Sequence, residues 1–288
     1  FILTGHTAMI TSLKFCPVSK DDNRFLISTS NDGCVNFWRW NALTYHFDPK
    51  PCKFSEKTKQ NAQIICSSFS TGGCFLAVGS TDHFVRVYHT TAPDGPVKIL
   101  EIEAHYDQVD SLQFSNFGLR FVSGSKDGTA RIWWYSRQNW QSHLLNMSEV
   151  LPGTPPVDES ELKITKIRVN MVCWTCDDVF VITAVNDRSL KVWESNTGKL
   201  KHVLNKHKDE VFVIEVHPTD PRIFLSGGHD GLIILWDVTL GVPIKIFQNQ
   251  IEGQGHGAIF DCKFSPDGQM FASTDSHGHL TIYGFGSK

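Results

Sequence analysis

The apolar and polar positions of this chain alternate in short runs that are separated by tight polar turns. The clearest case is the stretch FVSGSKDGTARIW at 121–133, where two runs rich in β-branched and aromatic residues flank Lys126-Asp127-Gly128. Because glycine adopts a positive φ readily, this pattern predicts two antiparallel strands joined by a tight turn. A run just upstream, VDSLQFS at 109–115, alternates with the same period and predicts another strand.

The same hairpin occurs six times along the chain. Each copy has an aromatic residue six positions after its turn position: Trp38, Tyr88, Trp133, Trp193, Trp236 and Tyr283. The turn position itself holds Asp32, Asp82, Asp127, Asp187, Asp230 and, in the last copy, His277. Self-similarity at a fixed internal spacing indicates a repeat architecture.

Each copy also has a strand-like run before its hairpin and a weaker one after it. The runs before the hairpins are Ile10–Phe15, Ile64–Phe69, Val109–Ser115, Val169–Trp174, Val211–Val216 and Ile259–Phe264. The runs after them are Pro51–Phe54, Val97–Ile102, Trp140–Asn146, Leu200–Leu204 and Ile244–Phe247, with none in the last copy. Radial stacking buries both faces of such four-stranded sheets, so the sequence predicts an all-β β-propeller with six visible blades, either complete or part of a larger one.

We expect one propeller domain over 1–288, with blades near 4–55, 62–102, 105–146, 167–204, 207–247 and 256–288. The segment 1–3, Phe1-Ile2-Leu3, is predicted to be a further strand. It either completes the last blade and closes the ring, or belongs to an earlier blade that this chain lacks. The sequence leaves both alternatives open. Because the chain begins with Phe1 rather than Met, we expect it to be a piece of a longer protein.

The composition excludes several classes of function. The 288 residues have a hydrophobic fraction of 41% and a net charge of −3, without a long run of Lys or Arg. Direct nucleic-acid binding is therefore not expected. No apolar run is long enough to span a membrane, so no membrane partner is predicted. Of the eight Cys, several lie inside strand-like runs, as is typical of buried thiols in a reducing compartment.

Three copies share a set of polar residues around the turn. Each has a His just before its first strand and a Ser four residues before the turn Asp. With the aromatic residue, this gives three sets: His6, Ser28, Asp32 and Trp38; His105, Ser123, Asp127 and Trp133; His207, Ser226, Asp230 and Trp236.

A Ser/His/Asp set invites a hydrolase interpretation, but a catalytic nucleophile normally occurs once rather than in several repeats. We predict structural corners instead, in which Asp accepts from His, His bonds to Ser, and Ser accepts from the indole N–H. Copies two and four lack the His, and copy two has Val78 in place of the Ser. Copy six has His277 in place of the Asp. Looser corners are expected in these three copies.

These residues resemble the WD-repeat family, in which a Gly-His pair, an Asp-Gly turn and a terminal Trp-Asp pair mark each blade. Trp236-Asp237 is the only true Trp-Asp pair at the end of a copy. The stretches at 66–83, 121–133, 183–193, 251–268 and 274–280 are more specifically similar to the bromodomain and WD-repeat-containing family, over about Leu3 to Gly286.

This resemblance implies a fragment of a large chromatin-associated regulator of transcription and cell morphology. The protein would lie in the nucleus, with the cytoplasm left open. The implied partners are chromatin proteins and, if the protein is a substrate receptor, the adaptor of a cullin-type ubiquitin ligase. Such receptors often carry a Trp-Asp-x-Arg box. Trp236-Asp237-Val238-Thr239 lacks the Arg, so this segment does not support adaptor docking.

Other motifs do not predict a cofactor or a metal. Cys173 and Cys176 have C-x-x-C spacing, but no second pair completes a zinc site. The glycines at 253, 255 and 257 lack the spacing of a dinucleotide loop and are interpreted as a turn. Asp275, His277 and His279 would share one side of an extended strand, but the turn predicted at 276–278 breaks that alternation.

We therefore expect a non-enzymatic protein-interaction scaffold with no catalytic residue, no cofactor and no small-molecule substrate. The alternatives are a propeller enzyme with a site at the channel mouth and a structural brace for neighbouring bromodomains. Residues beside the turns and beside the corner histidines are predicted to share one rim, because antiparallel strands alternate their ends. Both charge signs and an aromatic residue on this rim favour a protein or a peptide tail as partner. The candidate partner-binding rim is Asn31, Tyr106, Asp107, Lys126, Asn186, Lys208, Asp209 and His229.

Overall fold

The computed structural model describes residues 2–17, 23–56, 62–152, 166–251, 253 and 255–284. All regular secondary structure in these residues is β-strand, which confirms the all-β fold class. No element of this described part is a helix with the length and apolarity needed to cross a bilayer. The chain divides into two compact units, Phe1–Asp127 and Gly128–Lys288.

The first unit contains two four-stranded antiparallel sheets and one further hairpin. The first sheet has the order β1-β2-β3-β4, with β1 (Ile10–Phe15), β2 (Asn23–Ser30), β3 (Cys34–Asn41) and β4 (Cys52–Ser55). The second has the order β5-β6-β7-β8, with β5 (Ile64–Phe69), β6 (Phe75–Ser80), β7 (Phe84–His89) and β8 (Val97–Glu103). The hairpin pairs β9 (Val109–Phe114) with β10 (Arg120–Ser125).

The second unit continues the series. It begins with the hairpin of β11 (Thr129–Ser136) and β12 (Asn139–Asn146). Two four-stranded sheets follow: β13 (Val169–Trp174), β14 (Phe180–Val185), β15 (Leu190–Glu194) and β16 (Leu200–Leu204); then β17 (Val211–Val216), β18 (Ile223–Gly228), β19 (Leu232–Asp237) and β20 (Val242–Gln248). A small hairpin of β21 (Gln250–Ile251) and β22 (Gly255–His256) precedes a three-stranded sheet of β23 (Ile259–Phe264), β24 (Met270–Asp275) and β25 (Leu280–Gly284).

The predicted strands agree closely with these elements, and the differences are local. All six first strands begin at the predicted residue, and only β9 is one residue shorter, ending at Phe114. The predicted strand at 1–3 is wrong for the residues that are described, because Ile2 and Leu3 have irregular backbone; Phe1 lies outside the described residues. Parts of the two predicted surface loops, at 57–61 and 153–165, also lie outside them.

Apolar side chains fill the spaces between consecutive sheets within each unit. Between the first and second sheets lies a cluster that includes Ile27, Phe37, Ile64 and Tyr88. In the second unit, one cluster joins the sheet of β13–β16 to that of β17–β20, and another joins the latter to the three-stranded sheet. Stacking therefore buries the sheet faces, and the polar turns at the strand ends are not part of these apolar clusters.

Every first strand carries a β-bulge near its start. The register against the second strand shifts between Ile10 and Ser12, and an equivalent shift occurs in the other repeats. A bulge leaves one residue unpaired and redirects its side chain. The bulged residues are Thr11, Ile65, Asp110, Asn170, Phe212 and Phe260.

Candidate interaction site

A chain of side-chain hydrogen bonds fixes the turn of the first repeat. His6 Nδ1 donates to the Asp32 carboxylate at 3.1 Å, and the Ser28 hydroxyl donates to His6 Nε2 at 2.7 Å. The Trp38 indole N–H donates to Ser28 Oγ at 2.9 Å. These directions follow because a carboxylate only accepts and an indole N–H only donates. The four residues that the sequence grouped are thus in contact.

The fifth repeat has the same arrangement. His207 Nδ1 lies 3.1 Å from the Asp230 carboxylate, and His207 Nε2 lies 2.7 Å from Ser226 Oγ. Trp236 donates to that hydroxyl at 2.7 Å. The third repeat has the equivalent contacts of His105, at 3.2 Å to Asp127 and 2.8 Å to Ser123.

The serines of these three corners are not placed for catalysis. Ser28 is 3% exposed, and Ser123 and Ser226 are fully buried. A nucleophile must be reached by its substrate, whereas these hydroxyls lie in the protein interior. The Ser/His/Asp sets therefore satisfy buried polar groups and stabilise the turns.

The turn Asp of each corner also holds the backbone next to the histidine. Its carboxylate accepts the N–H of Thr7 at 3.0 Å in the first repeat, of Tyr106 at 2.9 Å in the third and of Lys208 at 2.7 Å in the fifth. Burial by itself would raise the pKa of Asp32. The hydrogen bonds from Thr7, His6 and the Cys34 N–H outweigh burial and lower that pKa to about 2. The carboxylate is therefore charged at neutral pH.

The second repeat has a buried ion network in place of the corner. Arg86 and Asp82 have fully buried side chains, and the guanidinium donates to the carboxylate at 3.2 Å and 2.6 Å. Arg86 Nε also lies 3.1 Å from Glu101 and 3.3 Å from Glu56. Arg86 therefore supplies to the turn Asp the donor that the absent His would have supplied, and the looser corner expected in this repeat stays a prediction.

The fourth repeat keeps the acceptor for its Trp and adds a buried lysine. Trp193 donates to Thr183 Oγ1 at 3.1 Å, so Thr183 takes the place of the corner Ser. Lys191 is almost completely buried and donates to the carbonyls of Met147 and Glu149, both at 2.6 Å. Burial lowers the pKa of Lys191. The residue four positions after the turn Asp thus again supplies a cation, as Arg86 does in the second repeat.

In the sixth repeat the carboxylate moves to Asp275, two residues before His277. Asp275 Oδ1 accepts the backbone N–H groups of His277 at 3.0 Å and His279 at 2.9 Å. Its Oδ2 accepts from Asn249 Nδ2 at 2.8 Å and from His279 Nδ1 at 3.2 Å. The turn was expected to separate Asp275, His277 and His279. That expectation is wrong, because ligand atoms of all three lie within 4.8 Å of one another.

In the first unit the predicted rim residues lie at the surface. Tyr106 is 88% exposed although its backbone is held by Asp127. Asp107 and Lys126 are partly exposed, and the Lys126 N–H donates to the Gln108 carbonyl at 3.1 Å. Asn31 is also partly exposed, with its N–H bonded to the Met9 carbonyl at 2.9 Å.

In the second unit three of the four predicted rim residues are exposed. Lys208 and Asp209 extend into solvent, and the His229 ring packs on Phe212 with 4.5 Å between ring centroids. Asn186 does not belong to this surface, because it is only 7% exposed. Its side-chain amide accepts the Arg168 N–H at 2.9 Å and donates to the Lys166 carbonyl at 3.0 Å, which ties it to the preceding loop.

Two exposed aromatic residues of the second unit do not stand out in the sequence. The bulges of β17 and β23 leave the side chains of Phe212 and Phe260 at 40% and 59% exposure. Because period-two alternation does not predict a bulge, the sequence pattern does not distinguish these two residues from the buried apolar residues of their strands. Beside Phe212, Arg168 and Glu210 form an ion pair at 3.0 Å.

Comparison with known proteins identifies the repeat. A family model described as WD domain, G-beta repeat matches residues 1–39, 52–89, 96–133, 162–194, 198–237 and 243–283. The chain belongs to the WD-repeat family. Each match ends at the aromatic residue of one hairpin copy or one residue after it. The WD-repeat β-propeller fold predicted from the sequence is thereby confirmed, and proteins of this family are in general non-enzymatic interaction scaffolds.

Three individual relatives differ in their similarity to this chain, and one of them is a bromodomain and WD repeat-containing protein. A bromodomain and WD repeat-containing protein of Dictyostelium discoideum is 32% identical over 78% of this chain, which is 10% of that protein. This relative bears out the resemblance that the sequence shows. Striatin of Rattus norvegicus is 24% identical over 98% of this chain and 41% of its own length. A ribosome biogenesis protein WDR12 homolog of Drosophila sechellia is 22% identical, over 82% of this chain and 54% of its own length. The chain thus spans only part of these relatives.

Proposed function

We propose that this chain is the protein-interaction scaffold of a nuclear, chromatin-associated regulator, and that it binds protein or peptide tails at its turns. The observation that carries this proposal is the position of Tyr106 and Lys208. Asp127 and Asp230 hold their backbone N–H groups at 2.9 Å and 2.7 Å, while both side chains extend into solvent. Because the backbone at these two positions is already held, binding of a partner there needs little further ordering of the backbone.

The charges on these turns favour a protein partner. In the first unit, Tyr106 lies beside Asp107, and Lys126 follows β10. In the second unit, Lys208 is followed by Asp209, before β17. Binding of a nucleic-acid backbone requires clustered cations, whereas alternating signs suit the mixed charge of a peptide.

The nuclear and chromatin parts of the proposal rest on relatives. A bromodomain and WD repeat-containing protein and a ribosome biogenesis protein are both among the proteins that this chain resembles. A role as substrate receptor of a cullin-type ligase belongs to the same proposal. Within this chain Trp236-Asp237-Val238-Thr239 offers no Arg for the adaptor, so other parts of a longer protein would supply that contact.

The test is capture of histone-tail peptides and of nuclear proteins by the purified chain and by charge-reversal variants. We expect Lys126→Glu combined with Asp209→Lys to abolish capture without a change in melting temperature. The matched control combines Arg120→Glu and Asp267→Lys. Arg120 starts β10, at the end opposite Lys126, and Asp267 lies in the turn between β23 and β24. Loss of capture in the control with retention in the first variant would contradict the proposed surface.

A further inference from the structure

A group of metal-ligating side chains lies at the turn of the sixth repeat, and none of its residues is among those named for the proposed partner surface. Asp275 ends β24, and His277 and His279 follow in the turn before β25. One ligand atom from each lies within 4.8 Å of the other two. Asp275 is buried, His279 is partly exposed and His277 is exposed. Asp275 therefore lies on the buried side of the group, and His277 lies on the side that faces solvent.

The distance between the two inner ligands suits a shared metal ion. Asp275 Oδ2 and His279 Nδ1 are 3.2 Å apart. Two ligands at about 2.0–2.2 Å from a tetrahedral zinc ion are about 3.3–3.6 Å apart, so both atoms could bind one ion after little movement. His277 needs a side-chain rotation to reach the same point, and its exposure leaves room for that rotation.

The surroundings of Asp275 resemble the outer ligand shell of known metal sites. Its Oδ1 is occupied by two backbone N–H groups, from His277 and His279, which fix the carboxylate in place. Asn249 is 4% exposed and donates to Oδ2 at 2.8 Å, while also donating to the Gly257 carbonyl at 3.2 Å. Hydrogen bonds of this kind orient ligating carboxylates and strengthen metal binding.

We propose that Asp275, His277 and His279 bind one divalent zinc-type cation, with the fourth coordination position open to water or to a partner's side chain. Two imidazoles and one carboxylate favour Zn²⁺ over hard cations such as Mg²⁺ and Ca²⁺, which prefer oxygen ligands alone. Binding replaces the proton that His279 Nδ1 shares with Asp275 by the metal ion. It also links the two sides of the turn between β24 and β25.

A simpler arrangement explains part of the same geometry. The hydrogen bond from His279 Nδ1 to Asp275 stabilises the turn without any metal, and the His277 ring then only contacts that of His279, with 6.1 Å between ring centroids. The contribution of His277 to metal affinity therefore separates the two interpretations.

The test uses the chain without an oligohistidine tag, with its thiols kept reduced. Zn²⁺ is titrated in competition with a chromophoric chelator, and Co²⁺ is added separately to record the absorption bands of a four-coordinate site. We expect one saturable site, a rise in melting temperature with Zn²⁺ and no response to Mg²⁺ or Ca²⁺. His277→Gln and His279→Gln should each weaken Zn²⁺ binding at least tenfold.

His46→Gln is the matched control. His46 is an exposed histidine between β3 and β4, outside both the group of ligand atoms and the proposed partner surface. Its replacement should leave Zn²⁺ affinity unchanged. Because His277 is exposed, its variant should fold normally even if His279→Gln does not. Absence of saturable binding in the wild-type chain, or unchanged affinity in a folded His277→Gln variant, would overturn the proposal.

Discussion

At the scale of single residues, different side chains fulfil the same requirement at the turn. A carboxylate must be held close to the backbone, and it needs donors. His6 and the Thr7 N–H supply them in the first repeat, and Arg86 supplies them in the second. In the sixth repeat the carboxylate itself has moved to Asp275. The requirement is common to these repeats, whereas the residues that meet it are not.

Asp82→Ala should destabilise the protein more than Asp127→Ala. Loss of Asp127 removes hydrogen bonds to a charged group, which costs about 1.5–3 kcal/mol. Loss of Asp82 leaves the fully buried Arg86 without its closest counter-charge, and breaking a buried ion pair costs about 3–5 kcal/mol. Urea titration of the two variants gives the free energy of unfolding of each and so measures both losses of stability.

A double variant tests the cause. Arg86→Leu combined with Asp82→Ala removes both charges of the closest pair, and Lys98 remains as the counter-charge of Glu56 and Glu101. The double variant should therefore recover part of the stability that Asp82→Ala loses. Without that recovery, or with a smaller loss for Asp82→Ala than for Asp127→Ala, the second repeat would indeed have the loose corner that its sequence indicates.

The sequence predicts the side-chain contacts of the corners whose residue types recur, but not those of the corners whose residue types differ. His6, Ser28, Asp32 and Trp38 recur as residue types at constant spacing, so their contact follows from the repeat alone. The position of Arg86, four residues after the turn position, varies between repeats: it holds Asn36, Arg131, Lys191, Ile234 and Thr281 in the others. Its role depends on a third-strand side chain pointing back to the turn, which no pattern within one repeat specifies.

At the scale of elements, the turn between the second and third strands requires a positive φ at the residue after the turn position. Gly33, Gly128 and Gly231 meet this requirement with φ between 73° and 82°. In the second and fourth repeats the same position is His83 and Arg188, with φ of 77° and 71°. Side chains rarely adopt this conformation, so these two turns store strain that the others avoid.

Arg188→Gly should therefore stabilise the protein by up to about 1 kcal/mol, because it relieves the strained backbone. Gly128→Ala should destabilise it by about 1–3 kcal/mol. An alanine at position 128 would have a disfavoured φ of 82°, and its Cβ would lie 2.9 Å from the Ile167 carbonyl oxygen. Thermal unfolding followed by circular dichroism measures both shifts. A destabilised Arg188→Gly variant would show that the arginine side chain offsets the strain through its own contacts.

Strand prediction succeeded where alternation was strong and failed where the backbone departs from it. All first strands were located from apolar positions such as Ile64 and Val211. The bulges that expose Phe212 and Phe260 were not, because one extra residue changes the face of a side chain without changing the composition of the strand. The hairpin of β21 and β22 has only two residues in each strand, too few to show a period.

At the scale of the whole molecule, consecutive sheets are joined by polar as well as apolar contacts. In the first unit, Glu56 follows β4 of the first sheet and accepts from the Tyr88 hydroxyl at 2.6 Å and from Lys98 at 2.9 Å. Tyr88 and Lys98 belong to the second sheet. One buried carboxylate therefore holds neighbouring repeats together, as expected where each repeat is stabilised mainly by its neighbours.

The sheet of the sixth repeat has three strands, so it is open which segment would supply a fourth strand and complete it. Among the described residues β25 pairs with β24, and that sheet contains no fourth strand. Leu280 and Ile282 of β25 are largely exposed. Closure by the segment 1–3 and completion by a strand from elsewhere in a longer protein are the two hypotheses, and they predict different effects of a short deletion.

Deleting residues 1–3 should leave the melting temperature unchanged. Ile2 is 91% exposed and, with Leu3, has irregular backbone, whereas burial of one isoleucine in a completed sheet would contribute about 1.5–3 kcal/mol. Calorimetry of the full and shortened chains measures the difference, and amide hydrogen exchange in β25 shows whether its free edge changes. A lower melting temperature together with faster exchange in β25 would mean that the segment does complete the sheet. Equal melting temperatures and equal exchange would mean that the segment 1–3 does not cover this edge, which leaves completion by a strand from elsewhere as the remaining hypothesis.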